Sequence, residues 1–564
     1  MNIRDRIRRQ ARSEAEIYVV IVCFFVWYSR KLGGGIYMDE AVFARSGYAM
    51  ISRGYLYGNP THSHAPVGKY AIGIAQEIVG PTMAAAGIPS LIFGLGTIYI
   101  TYHIGRSLSG RFVGLISAVF LGTNAIVAQL APTVWIDMPL VFFTALAAYA
   151  LLRFQQRPEP SSRYVALAVG STVLACATKL QGALLVVPLV LVLALISLEQ
   201  RWRSKQVLRL VKNATLSGGI VLGLVYWPFL LAPHPTYYGG SSLPRIAHLI
   251  MDIPGLGNIA YAFGEAFAQN LGHIGAGHTV TVAGSQYQNP PFWTYLYWVV
   301  ASGEYVVLLG IASALAFLSP KLRPNRSVKP VVICSILVFV PYVLMSIVSV
   351  KSHRYLVPYY PIIIPFAALA VFNVGRRISS LADFDSSWKR KTIVTIIALC
   401  VVGMTIPPSI ATDSGYDDAT EHISGEISPT DQDPVTVLSE SPLPTKWHFG
   451  SRMTMNYSFN ASKPVLYDIV GDSEADVVVR GLDRNRGVYR DSKRRISNGS
   501  ACYVVYSPSK YAESNWRSNI SNFVASHTES STRIPVTSLS WDSTNNQNNT
   551  LVIARICNRS NIMN

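Results

Sequence analysis

About eleven apolar segments set the frame for this 564-residue chain, at roughly 15–29, 84–103, 112–131, 138–153, 164–178, 182–198, 214–232, 293–318, 331–349, 355–374 and 392–410. In lipid, backbone N–H and C=O groups have no water to bond, so apolar runs of this kind must satisfy them internally as helices. The pattern predicts a polytopic α-helical membrane protein with about 11 transmembrane helices. Several segments fall short of the roughly 20 residues a straight span needs, which leaves their ends loosely defined. Half of the residues are hydrophobic and 14% are charged, in keeping with that class.

A net charge of +17 could suggest a nucleic-acid partner, but its distribution excludes one. The turns at 1–13, 103–111, 153–163, 199–212, 319–329 and 376–391 hold 24 Lys and Arg, whereas the turns between them hold 9. Residues 411–564 hold 15 against 17 Asp and Glu. The excess is topological, with basic turns inside. The basic N-terminal flank therefore lies in the cytoplasm. The run EAEIYVVIVCFFVWY lacks a small-residue cleavage site and reads as the first span rather than a signal peptide. An odd number of spans then leaves the C-terminus outside. The SNIMN end carries no retrieval signal, and the expected location is a prokaryotic cell membrane.

That topology gathers the polar residues on the outer face. The first outer loop, 30–83, holds Asp39, Glu40, His62, His64 and Lys69. The turn at Asp137, the Lys179 junction, the long outer loop 233–292 and the KSHR turn with Lys351 and Arg354 share that side. Beyond a membrane domain at 1–410, residues 411–564 are polar, with short β-branched runs near 435, 464, 475, 501 and 550 that predict an extracytoplasmic α/β or mostly-β domain. Six N-x-Ser/Thr triplets there, and Cys502 and Cys557 as a candidate disulfide, suit an outside location. Cys23, Cys176, Cys334 and Cys400 lie in apolar segments and read as packing residues.

Acids opposite cations suit one chemistry in particular. An alkoxide leaving group needs protonation, so glycoside hydrolysis usually takes two acids. A sugar on a phosphate has a stable leaving group. One base for the acceptor hydroxyl and cations for the phosphate suffice. Asp39, Glu40 and Asp137 are the candidate acids, and Lys69, Lys179, Lys351 and Arg354 the cations.

The order of these signals resembles the GT-C glycosyltransferases of the protein O-mannosyltransferase and aminoarabinose-transferase group. The resemblance is carried by Asp39-Glu40; by His64-Ala65-Pro66-Val67-Gly68-Lys69, with alanine in place of the group's first proline; and by Asp137-Met138-Pro139-Leu140-Val141-Phe142-Phe143. Thr178-Lys179-Leu180-Gln181-Gly182, Asn289-Pro290-Pro291-Phe292-Trp293-Thr294-Tyr295 and Arg354-Tyr355-Leu356-Val357-Pro358-Tyr359-Tyr360-Pro361 complete it. It covers about residues 15–375 and leaves the C-terminal region unexplained.

The resemblance implies an inverting membrane glycosyltransferase that moves one sugar from a polyprenyl phosphate, dolichyl or undecaprenyl, to a hydroxyl of a protein, glycan or lipid acceptor. Asp39 would be the base, with Glu40 and Asp137 orienting it; Asp39, Glu40, Asp137 and His64 are the candidate ligands of a divalent metal. Lys69, Lys179 and Arg354 would meet the lipid phosphate, with His64, Lys351, Tyr355 and Trp293 as further substrate contacts.

Other readings stay open at each position. Asp39 and Asp137 suit helix N-caps, and Glu40 a helix dipole partner. Lys179, Lys351 and Arg354 suit lipid headgroups, and Trp293 to Trp298 an interfacial belt. His62 and His64 suit structural or substrate contacts, and Glu304, inside an apolar stretch, takes no assignment. A transporter or flippase would show repeated halves and charges within spans, and neither is evident. An oligosaccharide ligase remains an alternative, although the Trp-Trp-Asp signature of oligosaccharyltransferases is absent.

Overall fold

The computed structural model describes residues 3–32, 38–52, 64–156, 162–231, 290–318, 329–347, 352–381 and 387–403, and the strands given below with a few isolated neighbours. The apolar segments are helical over most of their length. In order, the helices are α1 (Ile3–Ser29), α2 (Met38–Ser52), α3 (Pro66–Val79), α4 (Met83–Ser109), α5 (Arg111–Gly122), α6 (Ala125–Leu130), α7 (Asp137–Gln155) and α8 (Ser162–Cys176). They continue as α9 (Val186–Glu199), α10 (Ser204–Leu231), α11 (Thr294–Ala301), α12 (Tyr305–Leu318), α13 (Lys329–Ile347), α14 (Tyr360–Leu381) and α15 (Ser387–Gly403). Short 3-10 turns, Leu180–Leu185 and His353–Tyr359, lead into α9 and α14.

Among the described residues, six helices are long and apolar enough to cross a membrane: Met83–Ser109, Asp137–Gln155, Leu180–Glu199, Ser204–Leu231, Lys329–Ser346 and His353–Ile378. Two segments expected as single spans are interrupted. Segment 112–131 breaks after Thr123, where the Asn124 side chain accepts from the Val127 N–H at 3.2 Å and caps a new helix. Segment 293–318 breaks at Ser302–Glu304, where Gly303 has φ 69°, a conformation that favours glycine.

The connection 30–83, expected as a loop, contains two helices packed on each other. Alternation of small and large residues hides them from a search for long apolar runs. Glycine lets their backbones touch: a Cβ on Gly47 would lie 2.8 Å from the Lys69 carbonyl oxygen, and one on Gly73 would collide with the Gly47 carbonyl. Gly73→Ala must therefore pry α2 from α3, since backbone cannot yield as a side chain can. We expect a loss of about 1–3 kcal/mol, read as a lower unfolding midpoint. An unchanged midpoint would refute this crossing.

Burial ranks the spans. Within their apolar windows, 83% of His353–Ile378 and 78% of Asp137–Gln155 is buried, against 33% of Leu180–Glu199 and 22% of Ser204–Leu231. The first two are the centre of the bundle, and the latter pair presents apolar side chains such as Leu216, Ile220 and Leu224 outward, as lipid-facing helices do. Cys23 and Cys400 are exposed on their helices, Cys176 is partly buried and Cys334 is buried; all four are free thiols.

A hairpin pairs β1 (Val280–Val282) with β2 (Ser285–Tyr287) in the long connection before α11. In the C-terminal region, β3 (Val435–Ser439), β4 (Val477–Gly481), β5 (Tyr503–Tyr506), β6 (Ser530–Val536) and β7 (Asn549–Arg555) form a five-stranded sheet in the order β4-β3-β5-β7-β6. The first three strands run parallel and β6 and β7 pair antiparallel. Strand β6 was not anticipated from sequence; its Pro535 suits the edge position it occupies. The run near 464 and both Cys502 and Cys557 lie outside the described residues.

Candidate active site

The chemistry assembles where the two central spans begin. Asp137 opens α7 and is fully buried. The turn just before it is pinned from both sides: the Val134 N–H donates to Glu40 Oε1 at 3.0 Å, and the Ser90 hydroxyl donates to the Trp135 carbonyl at 2.8 Å. Glu40 thereby ties the first turn of α2 to the entry of α7. Asp137 Oδ1 accepts from Lys179 Nζ at 2.7 Å, while Oδ2 is buried with no hydrogen-bond partner among the described residues. A buried carboxylate oxygen left without a donor is costly unless something else occupies the space beside it.

Lys179 has an extended backbone, φ −154°, at the head of the Leu180–Leu185 turn, and only 8% of it is exposed. Its ammonium also sits 5.0 Å from the centre of the Tyr355 ring. The turn can lie close to the end of α8 because residue 182 is glycine: a Cβ there would strike the Ala175 backbone. Tyr355 is fixed by its carbonyl, which accepts from Gln181 Nε2 at 2.5 Å. Its neighbour Arg354 lays its guanidinium 4.4 Å from the centre of the Trp135 ring. The second central span therefore contributes its first turn to the same place as α7.

The third cation comes from α3. Lys69 is fully buried and donates to the His64 carbonyl at 2.6 Å. Pro66 starts the helix, where its missing N–H has no bond to lose. Gly68 allows contact with Ile136, since a Cβ would lie 2.7 Å from Ile136 Cγ2. The residue before it, Val67, donates its N–H to the Ala177 carbonyl at 2.9 Å. That main-chain bond joins the start of α3 to the approach to Lys179.

Electrostatics follows from this crowding. Burial holds the Lys69 ammonium well below its ordinary range, at about 7. His64, its ring 5.3 Å from Phe43, is pushed down to about 3, by burial first and then by the positive charges of Lys179, Lys69 and Arg354 against the opposing Asp137. His64 is therefore neutral at physiological pH and adds no charge. Three basic side chains share the neighbourhood of His64, and two of them, Lys179 and Arg354, also act on Asp137; gathered in a largely buried place, they can hold an oxyanion.

Of the residues singled out from sequence, the structure brings Glu40, His64, Lys69, Asp137, Lys179, Arg354 and Tyr355 into one neighbourhood. Asp39 lies in the first turn of α2, but its side chain, like His62 and Lys351, falls outside the described residues. Trp293 stands apart at the start of α11, 38% exposed, with its ring 6.3 Å from Tyr297. Among the described residues, no group of three or more His, Cys, Asp or Glu could hold a metal ion. Gln181, Trp135 and Glu40's bond to Val134 were not anticipated in these roles. Gln181 belongs to the Thr178–Gly182 motif and Trp135 lies two residues before Asp137, which is the signal that could have found them.

Residues 63–227 match the sequence model of the dolichyl-phosphate-mannose-protein mannosyltransferase family, a stretch that contains His64, Lys69, Asp137 and Lys179. Among solved structures, the fold is similar to ArnT from Cupriavidus metallidurans bound to undecaprenyl phosphate, with 14% identity, 96% of this chain and 97% of that one covered, and a TM-score of 0.56. The same protein in its apo state gives 15% identity, 97% and 98% coverage, and a TM-score of 0.55. No curated protein sequence matches.

Proposed function

We propose, from a chain that is a polytopic membrane protein of the GT-C glycosyltransferase fold, that it moves a single sugar from a polyprenyl-phosphate donor to an acceptor hydroxyl on the outer face of the membrane. The observation that carries the reading is the gathering of Lys69, Lys179 and Arg354 around His64, two of them also acting on the buried Asp137, whose second carboxylate oxygen has no hydrogen-bond partner among the described residues. The undecaprenyl phosphate held by ArnT is a ligand of the kind such a site would take.

In this scheme the acceptor oxygen attacks the anomeric carbon while the bond from that carbon to the phosphate oxygen breaks. The electron pair leaves on the lipid phosphate, where the cations stabilise it. The hydroxyl proton goes to Asp39, and the single displacement inverts the anomeric centre. Asp137 holds Lys179 toward the phosphate, and Glu40 holds the start of α2, with Asp39 on it, against the entry of α7. The acceptor, whether protein, glycan or lipid, would approach from the side of the 411–564 domain.

The test is transfer of label from polyprenyl-phosphate sugars to cell-envelope extract by the purified chain in lipid nanodiscs, with binding of undecaprenyl phosphate measured beside it. Transfer supports the reading. Folded protein that neither transfers from any such donor nor binds undecaprenyl phosphate sinks it.

Lys69 adds a pH dependence with a definite sign. Its ammonium is protonated below about 7 and neutral above. Affinity for undecaprenyl phosphate should therefore fall as pH rises from about 7 to 9, by at most about tenfold per unit, since one proton is involved. Lys69→Ala should bind more weakly at pH 7 and show a flatter profile; a wild-type affinity constant over that window would remove Lys69 from the phosphate site.

A further inference from the structure

The turn that carries Arg354 is gripped from its other side by a second buried polar cluster. Glu304 follows the break at Gly303 between α11 and α12 and is 3% exposed. Its Oε2 accepts from the Tyr360 hydroxyl and lies 3.4 Å from His353 Nε2. His353 is buried as well, with Nδ1 3.4 Å from the Ser302 hydroxyl and its ring 6.3 Å from that of Trp298. Glu304 Oε1 has no hydrogen-bond partner among the described residues.

A carboxylate inside an apolar bundle is expensive, and packing α12 against α14 needs none. Its placement at the two ends of one turn is what gives it a use. His353 is the first residue of the His353–Tyr359 turn and Tyr360 is the first residue after it. In a 3-10 turn successive side chains point about a third of a revolution apart. While His353 faces Glu304, Arg354 is thus free to face Trp135, and Tyr355 to face Lys179.

We propose that Glu304, Tyr360 and His353 are positioning residues, which clamp both ends of this turn so that Arg354 and Tyr355 are presented to the donor phosphate. The proposal rests on the reading of Lys69, Lys179 and Arg354 as the phosphate site. It assigns the cluster no contact with the reacting atoms.

The experiment is a double-mutant cycle in the full-length chain in nanodiscs, with undecaprenyl phosphate as the probe. Tyr360→Phe should weaken binding by about fivefold or more in the wild-type background, and by less than about twofold when Arg354→Ala is already present. In a Lys69→Ala background it should keep its full effect. Glu304→Gln provides an independent second cycle with the same expectation. In transfer assays both variants should raise the donor KM while kcat stays within about twofold.

Additive effects in the Arg354→Ala background overturn the proposal, and so does loss of folded protein in both variants, which would make the cluster a packing element only. Wild type that fails to bind undecaprenyl phosphate overturns the phosphate-site reading and this proposal with it. Wild type that binds, combined with an additive cycle, sinks this proposal alone.

Discussion

Asp137→Ala should lower folding stability by about 3–5 kcal/mol, the range found when one partner of a buried ion pair is removed and the other charge is stranded. Lys179, with its side chain 9% exposed and its ammonium 2.7 Å from Asp137, has no water to turn to. The companion Asp137→Leu/Lys179→Met separates stability from function. Replacing both charges by apolar groups of similar size should recover most of the lost stability, since such exchanges are often neutral or stabilising. Transfer activity should not return. Unfolding midpoints and transfer rates on the same three proteins decide the matter: an Asp137→Ala protein as stable as wild type would mean that the pair is solvated, contrary to its burial.

Asp39→Asn should reduce transfer by about a hundredfold or more, the usual contribution of a general base, with little change in donor affinity. Asparagine is nearly isosteric with aspartate and is itself a favoured helix cap, so the first turn of α2 should survive. Equal transfer by mutant and wild type would reduce Asp39 to a first-turn residue favourable to the helix dipole and move the search to Glu40 or Asp137. Glu40 is the poorer of those two, because its carboxylate already accepts the Val134 N–H. Asp137 is engaged through one oxygen by Lys179, but its other oxygen has no hydrogen-bond partner among the described residues.

The membrane architecture was legible because lipid imposes a strong rule on sequence: a span must be apolar over its whole length. The interruptions at Asn124 and Gly303 were not, since one polar residue or one glycine in an apolar run is a weak signal against twenty favourable neighbours. Helices α2 and α3 were missed for the opposite reason. They are short and interleave glycine, serine and charged residues with apolar ones, packing through Gly47 and Gly73, so neither offers the long apolar run by which spans are found. Within the site, Lys69, Asp137, Lys179 and Arg354 could be named because charged residues at the edges of apolar runs stand out. Which acid would pair with which base could not be read, because Asp137 and Lys179 stand 42 positions apart in the chain. Glu304 was visible as an anomaly in an apolar stretch. Its partners His353 and Tyr360 become evident only when α12 and α14 lie side by side.

The main-chain bond from Val67 to Ala177 makes the spacing of Lys69 and Lys179 a property of the backbone rather than of the side chains. The two cations then behave like the fixed jaws of a gauge. Exchanging side chains at either position changes what the jaws are made of, but not the opening between them. A chimaera that imports residues 64–79 from another protein without also importing 175–182 would inherit two halves cut to different gauges. On the proposed function, altering which anionic headgroup the site accepts would accordingly mean moving both segments together, as one part.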